Sequence, residues 1–132
     1  MGRAGSLIAK GKTLSERLIL DHFVYAVPNL AEAIERFERE LGVAPTPGGR
    51  HTGMATHNAI LPLRDETYLE LIASDPEADA PAHPRPFGLD TLETARLVTW
   101  AVRSRDIDSD VALSRSNGFD PGLVLAMSRE ET

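Results

Sequence analysis

Histidines and one strand-borne glutamate are the residues of this sequence best suited to chemistry. The 132 residues include four histidines and no cysteine, which excludes disulfides, thiolate metal ligands and cysteine nucleophiles. His22 follows Asp21 in the run LDHFVYAV, and Glu70 interrupts the apolar run YLELIA. A carboxylate among the apolar residues of a strand requires a polar partner or a metal ion. Imidazole and carboxylate together are suitable ligands for Zn, Fe, Mn, Co or Ni.

Two predicted strands must position these side chains, and alternation along each strand assigns them to a face. The strand predicted over Leu20–Val27 alternates between bulky residues suited to packing under a helix and a second set that contains His22. The strand predicted over Thr67–Ala73 alternates in the same way, and its second set contains Tyr68 and Glu70. The bulky sets are Phe23, Tyr25 and Val27, and Leu69, Leu71 and Ala73.

Other polar residues stand near the same predicted face. Asn58 begins a strand predicted over Asn58–Leu63, and its amide could orient a substrate carbonyl if that face is concave. His51 and His57 precede the strand and could enter a cleft, although loop histidines are mostly exposed to solvent. His83 lies in a proline-rich segment and is expected to be exposed.

The clearest predicted element is a helix over Leu30–Leu41. Asn29 is a suitable N-cap, Glu32 completes a capping box, and Gly42 provides the C-terminal stop. The apolar residues of the helix recur at the spacing of a single face, at Leu30, Ile34, Phe37 and Leu41.

The rest of the sequence predicts an incomplete repeat. Pro45–Gly49 predicts a turn-rich connection, with room for a short strand between Arg50 and Thr56, and Asp75–Gly88 predicts a linker. Elements predicted in the second half are a strand over Arg96–Arg103, a weaker helix over Ile107–Ser116 and a strand over Leu123–Met127. Matching residues of the two halves are separated by 75–77 positions, which indicates a duplicated module.

The repeat assigns counterparts to the residues of the first strand. Leu97 takes the place of His22, and a leucine cannot bind a metal. Thr99 falls on the same face as Leu97, and the repeat predicts it as a cleft residue. Trp100 corresponds to Tyr25, a position packed against the helix, and is predicted to lie in the core.

Several stretches of the sequence are similar to a known family. They are LDHFVYAVPNL (20–30), PTPGGRHTGMATHNAILPL (45–63), YLELIASDP (68–76), LVTWAV (97–102) and GFDPGLVLAMSR (118–129). Together they resemble the glyoxalase-like domain family of the vicinal oxygen chelate (glyoxalase/bleomycin resistance/dioxygenase) superfamily. In that superfamily, paired modules curve their sheets into a cleft that often holds a divalent metal.

The resemblance implies an α+β fold with one β-α-β-β-β module and a partial second copy, apparently truncated. The implied divisions are an N-terminal arm over 1–17, a first module over 18–74, a linker over 75–94 and the partial module over 95–132. Because the first and last strands of a module are neighbours in this fold, His22 and Glu70 are the implied metal ligands. The residues predicted to bind substrate are His51, Asn58, Tyr68 and Thr99.

Three classes of function are compatible with these features. The first is a metal-assisted lyase, isomerase or dioxygenase acting on a small oxygenated molecule. The second is a metal-free module that binds or sequesters a small ligand, and the third is an inactive truncated product. A catalytic metal usually has three protein ligands, so the predicted pair and Leu97 favour the second and third classes.

Composition limits the partners further. The formal net charge is −6, which argues against nucleic acid as a partner. No apolar run approaches the roughly 18 residues of a membrane span, and the N-terminus lacks the apolar stretch of a secretory signal, so we predict a cytoplasmic protein without a membrane partner. A short second module would leave strand edges and apolar side chains uncovered, which predicts a homodimer. The side chains concerned are Val98, Trp100, Val102 and Leu125.

Overall fold

The computed structural model describes residues 18–127 and 130–131, so the predicted arm over 1–17 lies outside the described residues. The elements, in chain order, are β1 (Ile19–Ala26), α1 (Leu30–Leu41), β2 (Thr46–His51), β3 (Thr56–Pro62), β4 (Tyr68–Ser74), β5 (Arg96–Arg103), α2 (Ile107–Ser116) and β6 (Glu130–Glu131). Two short 3₁₀ helices, Thr52–Met54 and Pro86–Thr91, precede β3 and β5. The α+β class and the β-α-β-β-β order are confirmed, whereas the partial second copy stays a prediction.

The chain divides into two compact units. One comprises Asp21–Ala101 and Met127–Thr132 and contains most of a sheet with the strand order β5-β1-β4-β3-β2-β6. The other comprises Met1–Leu20 and Val102–Ala126, and its described residues include α2. Among the described residues, no helix has the length and apolar composition that crossing a membrane requires.

The pairing of β1 with β4 is the feature of the sheet that matters most for the site. These strands run parallel, with His22 level with Tyr68 and Val24 level with Glu70. The pairs β3–β4 and β2–β3 are antiparallel. Parallel neighbours need a long connection, and α1, β2 and β3 supply it.

Helix α1 covers one face of this sheet. The Asn29 side chain accepts a hydrogen bond from the backbone N–H of Glu32 at 3.0 Å, and Gly42 ends the helix in the left-handed conformation, with φ of 72°. The ring of Phe37 meets that of Tyr25 edge to face at 5.9 Å. The buried cluster on this side consists of Val27, Leu30, Ala59, Leu71 and Ala73, with Tyr25, Ile34, Phe37 and Leu69 packed against it. The face predicted from alternation is therefore confirmed for these strand residues.

A second apolar cluster contains the alternate residues of β1 and β4. Val24 and Ala26 are buried there with Ile72 and Leu89. Leu89 belongs to the 3₁₀ helix Pro86–Thr91, so the segment predicted as a linker contributes to the core. The sheet is consequently packed on both faces, which restricts where its polar side chains can lie.

Two predictions of secondary structure are wrong. Thr46–His51 is a strand, although Pro45–Gly49 was expected to be a turn, because β3 pairs with it and a bulge between Pro47 and Arg50 accommodates the proline. Leu123–Met127 is irregular, with Leu123 84% exposed. An apolar run becomes a strand only where a neighbouring strand satisfies its backbone, and composition does not supply that neighbour.

The prediction that Trp100 lies in the core is also wrong. Its side chain is 63% exposed. The prediction transferred the burial of Tyr25 along the repeat, but Tyr25 is covered because Phe37 of α1 packs against its ring. Burial on a strand depends on what packs over it, and an internal repeat does not determine that.

Candidate functional site

A cleft of about 500 Å³ opens on the face of the sheet opposite α1. Its walls are mostly apolar, with a few polar groups of the kind that orient small ligands. The apolar lining includes Val24, Met54, Ile72, Pro86, Phe87, Ala101 and Met127, and the polar lining consists of His22, His51, Glu70 and Thr99. All of these residues belong to the unit that contains the sheet.

His22 and Glu70 meet at the floor of this cleft. Nε2 of His22 lies 3.5 Å from Oε2 of Glu70, and both side chains are largely shielded from solvent. On the other side of the ring, Nδ1 of His22 lies 2.7 Å from a carboxylate oxygen of Asp21. An ionised carboxylate can only accept, so Nδ1 carries the proton in this contact. The parallel pairing of β1 and β4 thus brings together two residues that are distant in sequence.

Tyr68 and Thr99 flank this pair in different ways. The ring of Tyr68 stacks on that of His22, with centroids 4.6 Å apart and an angle of 11° between the planes. Thr99 lines the cleft with an exposed side chain, and its hydroxyl donates to the carbonyl oxygen of Trp100 at 3.4 Å. Tyr68 therefore restrains the imidazole, whereas Thr99 is accessible from the cleft.

Asn58 and His51 extend the polar floor. Nδ2 of Asn58 donates to Oε1 of Glu70 at 2.7 Å, and Oδ1 of Asn58 accepts from the backbone N–H of Gly49 at 2.9 Å. His51 lies between Asn58 and Thr56, with Nε2 3.5 Å from Asn58 Nδ2 and Nδ1 2.9 Å from Thr56 Oγ1. Asn58 is only 2% exposed, so its amide supports Glu70 from below.

Segments outside the strands supply a wall that the sequence analysis missed. Met54, Phe87 and Met127 line the cleft from connecting segments. Arg85 anchors this wall, because its Nε donates to the carbonyl oxygen of Ala55 at 2.9 Å and its Nη1 pairs with Asp90 at 2.6 Å. Polar residue type marks a candidate site residue in a sequence, and these apolar residues lack that signal.

The remaining histidines lie elsewhere. His57 pairs across the sheet with Ala73, a residue of the core on the α1 side, so its imidazole lies on the face away from the cleft. Burial lowers the pKa of His57 below its ordinary range, and the negative charge of Asp75 opposes this shift only in part. His83 is exposed, as expected.

The described residues do not form a complete catalytic metal site. The His22–Glu70 spacing would let both side chains reach one ion, and Asp21 orients the imidazole as carboxylates do behind metal-bound histidines. However, no three ligand-type side chains converge within residues 18–127, and catalytic sites usually have three. The residues present therefore fit half of such a site.

The element order and the cleft define a vicinal oxygen chelate fold. The sequence profile described as the glyoxalase-like domain matches residues 20–132, and the chain belongs to that family. No curated protein has a significantly similar sequence.

Methylmalonyl-CoA epimerases are similar in structure. The enzyme from Mycobacterium tuberculosis is 24% identical with a TM-score of 0.58, over 75% of this chain and 63% of that one, so the chain spans less than two thirds of its length. An epimerase in complex with methylmalonyl-CoA and NH₄⁺ is 20% identical with a TM-score of 0.61, over 77% and 71% of the chains. A Streptomyces coelicolor epimerase variant in complex with 2-nitronate-propionyl-CoA gives the same values. At these identities the similarity shows a shared fold.

We expect the His22–Glu70 pair to bind Zn²⁺ weakly, without the sharp 1:1 endpoint of a three-ligand site. Calorimetric titration measures this directly, and His22→Ala should abolish the heat while His83→Ala, which changes an exposed histidine, should preserve it. A sharp 1:1 endpoint in the wild type would mean that further ligands complete the site.

We expect acid to destabilise the fold partly through His57. The pKa of His57 is lowered in the folded state, so the unfolded chain takes up a proton at a higher pH than the folded chain does. The contribution of His57 to the free energy of unfolding is therefore fully present above about pH 6.5 and declines as the pH falls below that value. Urea denaturation measures the free energy of unfolding at pH 7.5 and at pH 5. The decrease between the two pH values should be smaller in His57→Gln than in the wild type, and it should be unchanged in His83→Gln. An unchanged pH dependence in His57→Gln would contradict the assignment.

Proposed function

We propose that this chain binds a small, largely apolar molecule in the cleft and holds a polar oxygen of that molecule between His22 and Glu70. The observation that carries the proposal is the 3.5 Å approach of His22 Nε2 to Glu70 Oε2 at the floor of an otherwise apolar cleft. A cleft of about 500 Å³ is within the range that small ligands occupy.

A hydroxyl group is the oxygen that best matches this pair. Oε1 of Glu70 is already bonded to Asn58, so Oε2 is the oxygen that remains to accept a hydrogen bond from a ligand. Nε2 of His22 can accept when the ring is neutral and donate when the ring is protonated. A hydroxyl donates its one proton to Glu70 in either state of His22, and its oxygen also accepts from Nε2 when the ring is protonated.

The charges around the cleft disfavour an anionic ligand. Asp21 and Glu70 are both acidic, and none of the described residues that line the cleft is a lysine or an arginine. The phosphates of a coenzyme A thioester require cationic partners. A thioester such as the ligands of the structurally similar epimerases is therefore the less favoured candidate.

Two other classes of function remain. Metal-assisted lyase, isomerase or dioxygenase activity is disfavoured, because a catalytic metal usually has three protein ligands and the described residues bring together only His22 and Glu70. An inactive product would have a cleft that binds nothing. Binding of a simple probe distinguishes this outcome from the proposed function.

We also propose that the chain forms a homodimer through β5. This strand stands at the end of the sheet order, and Leu97 and Trp100 on it are 59% and 63% exposed. Edge strands with exposed apolar side chains tend to pair with another chain, and burial of such surface contributes about 25 cal/mol per Å².

Benzyl alcohol should bind the cleft more tightly than benzyl methyl ether, which retains the oxygen but cannot donate. Glu70→Gln should weaken the alcohol about tenfold, since a hydrogen bond to a charged group contributes about 1.5–3 kcal/mol. Glu35→Gln, at an exposed position of α1, is the matched control and should bind like the wild type. Ligand-observed NMR titration measures all of these affinities.

Methylmalonyl-CoA serves as the contrasting probe in the same titration. Tighter binding of the thioester than of the alcohol, or equal alcohol binding in Glu70→Gln, would contradict the proposed function. If neither probe binds the wild type, the result contradicts the proposed function and favours the inactive product.

Light scattering coupled to size exclusion should give a dimer mass for the wild type, and Trp100→Lys should shift it towards the monomer. Leu41→Lys provides the control, because Leu41 is 62% exposed on α1, away from β5. A monomer mass for the wild type at every concentration tested would exclude the dimer.

A further inference from the structure

Asn58 is buried beneath the cleft, and both polar atoms of its side chain form hydrogen bonds. We propose that Asn58 is a positioning residue, whose amide determines whether residue 70 offers a hydrogen-bond acceptor or a donor to a bound molecule. The proposal rests on the proposed function for the use of the cleft as a binding site. The hydrogen bonds that carry it exist without a ligand and can be tested without one.

The backbone of β2 determines how the amide of Asn58 is oriented. The N–H of Gly49 can only donate, so the atom of Asn58 that lies 2.9 Å from it must be the carbonyl oxygen Oδ1. Nδ2 then faces Glu70 at 2.7 Å and can only donate, so Oε1 of Glu70 must accept. The carboxylate is thereby held with its other oxygen, Oε2, towards His22.

Gly48 makes this arrangement sterically feasible. A Cβ atom at residue 48 would lie 2.2 Å from Oδ1 of Asn58, far inside van der Waals contact. Because Asn58 is 2% exposed, its side chain has little room to move away. Glycine at this position in the bulged strand β2 therefore allows the amide to reach the backbone of Gly49.

This geometry predicts the effect of changing Glu70 to glutamine. The donor on Asn58 would require the glutamine oxygen at the position of Oε1, and the glutamine NH₂ would then face His22 and the cleft. Glu70→Gln would thus replace an acceptor by a donor, so the variant should bind benzyl alcohol more weakly and benzyl methyl ether more tightly than the wild type does.

Adding a substitution at Asn58 to Glu70→Gln should return a hydrogen-bond acceptor to the cleft. In Asn58→Asp/Glu70→Gln, one aspartate oxygen accepts from Gly49 and the other can only accept from residue 70. The glutamine must then turn its NH₂ towards Asp at 58 and its oxygen towards the cleft. The double variant should therefore prefer the alcohol again, although it lacks the carboxylate at residue 70.

The binding test measures the affinities of the two probes for the wild type, Glu70→Gln, Asn58→Asp/Glu70→Gln and the control Glu35→Gln by NMR titration. We expect the alcohol-to-ether preference to be lost in Glu70→Gln and to return in the double variant, with a change of about tenfold at each step. Gly48→Ala should also reduce the preference, with Asn58 and Glu70 both intact. A double variant that behaves like Glu70→Gln would overturn the proposal.

A test without ligand separates this proposal from the proposed function. Asn58→Asp alone would bring two carboxylates together at the 2.7 Å contact, so its urea midpoint should fall well below that of the wild type or the chain should fail to fold. Adding Glu70→Gln should restore the midpoint towards the wild-type value. If the urea midpoint recovers in the double variant but the wild type binds neither probe, only the proposed function is refuted. If the double variant is as unstable as Asn58→Asp, the positioning role is refuted.

Discussion

The parallel pairing of β1 with β4 is the constraint on which the rest of the unit depends. Because side chains alternate along a strand, the register that places Val24 level with Glu70 assigns every residue of both strands to one face. The bulky residues then pack under α1, and His22, Tyr68 and Glu70 occupy the other face. A shift of one residue would exchange the two sets, so the apolar core under α1 also preserves the geometry of the site.

The polar residues of the cleft are stable there because each has a partner. A buried carboxylate without a partner is costly, and Glu70 is supported by Asn58 on one side and faces His22 on the other. Asn58 in turn bonds to the backbone of Gly49, and His22 to Asp21. The orientation of the site therefore derives from the sheet backbone, which a ligand does not have to reorganise.

Membership of the glyoxalase-like domain family establishes the fold of this chain but leaves its chemistry open. The structurally similar epimerases share the fold at 20–24% identity, whereas the cleft of this chain is acidic and mostly apolar. The distribution of charge within the cleft is thus a better guide to its ligand than the fold.

The sequence alone determined the elements whose signals are local. The apolar stripe and caps of α1 specify a helix from Leu30 to Leu41, and the alternation in β1 and β4 assigns Tyr25, Leu71 and Glu70 to their faces. These features arise from interactions between residues close in the chain, or from the period of a strand, so a single sequence contains them. The resemblance to the family added that the two strands are neighbours.

Only the tertiary structure decided the features that depend on distant neighbours. Thr46–His51 is a strand because β3 pairs with it, and Trp100 is exposed because burial depends on what covers a strand. Likewise, Asn58 lies beneath Glu70 because Gly48 lacks a side chain and Gly49 offers an N–H across the sheet. Hydrogen-bond partners and burial are properties of three-dimensional packing, and residue type and spacing constrain them only weakly.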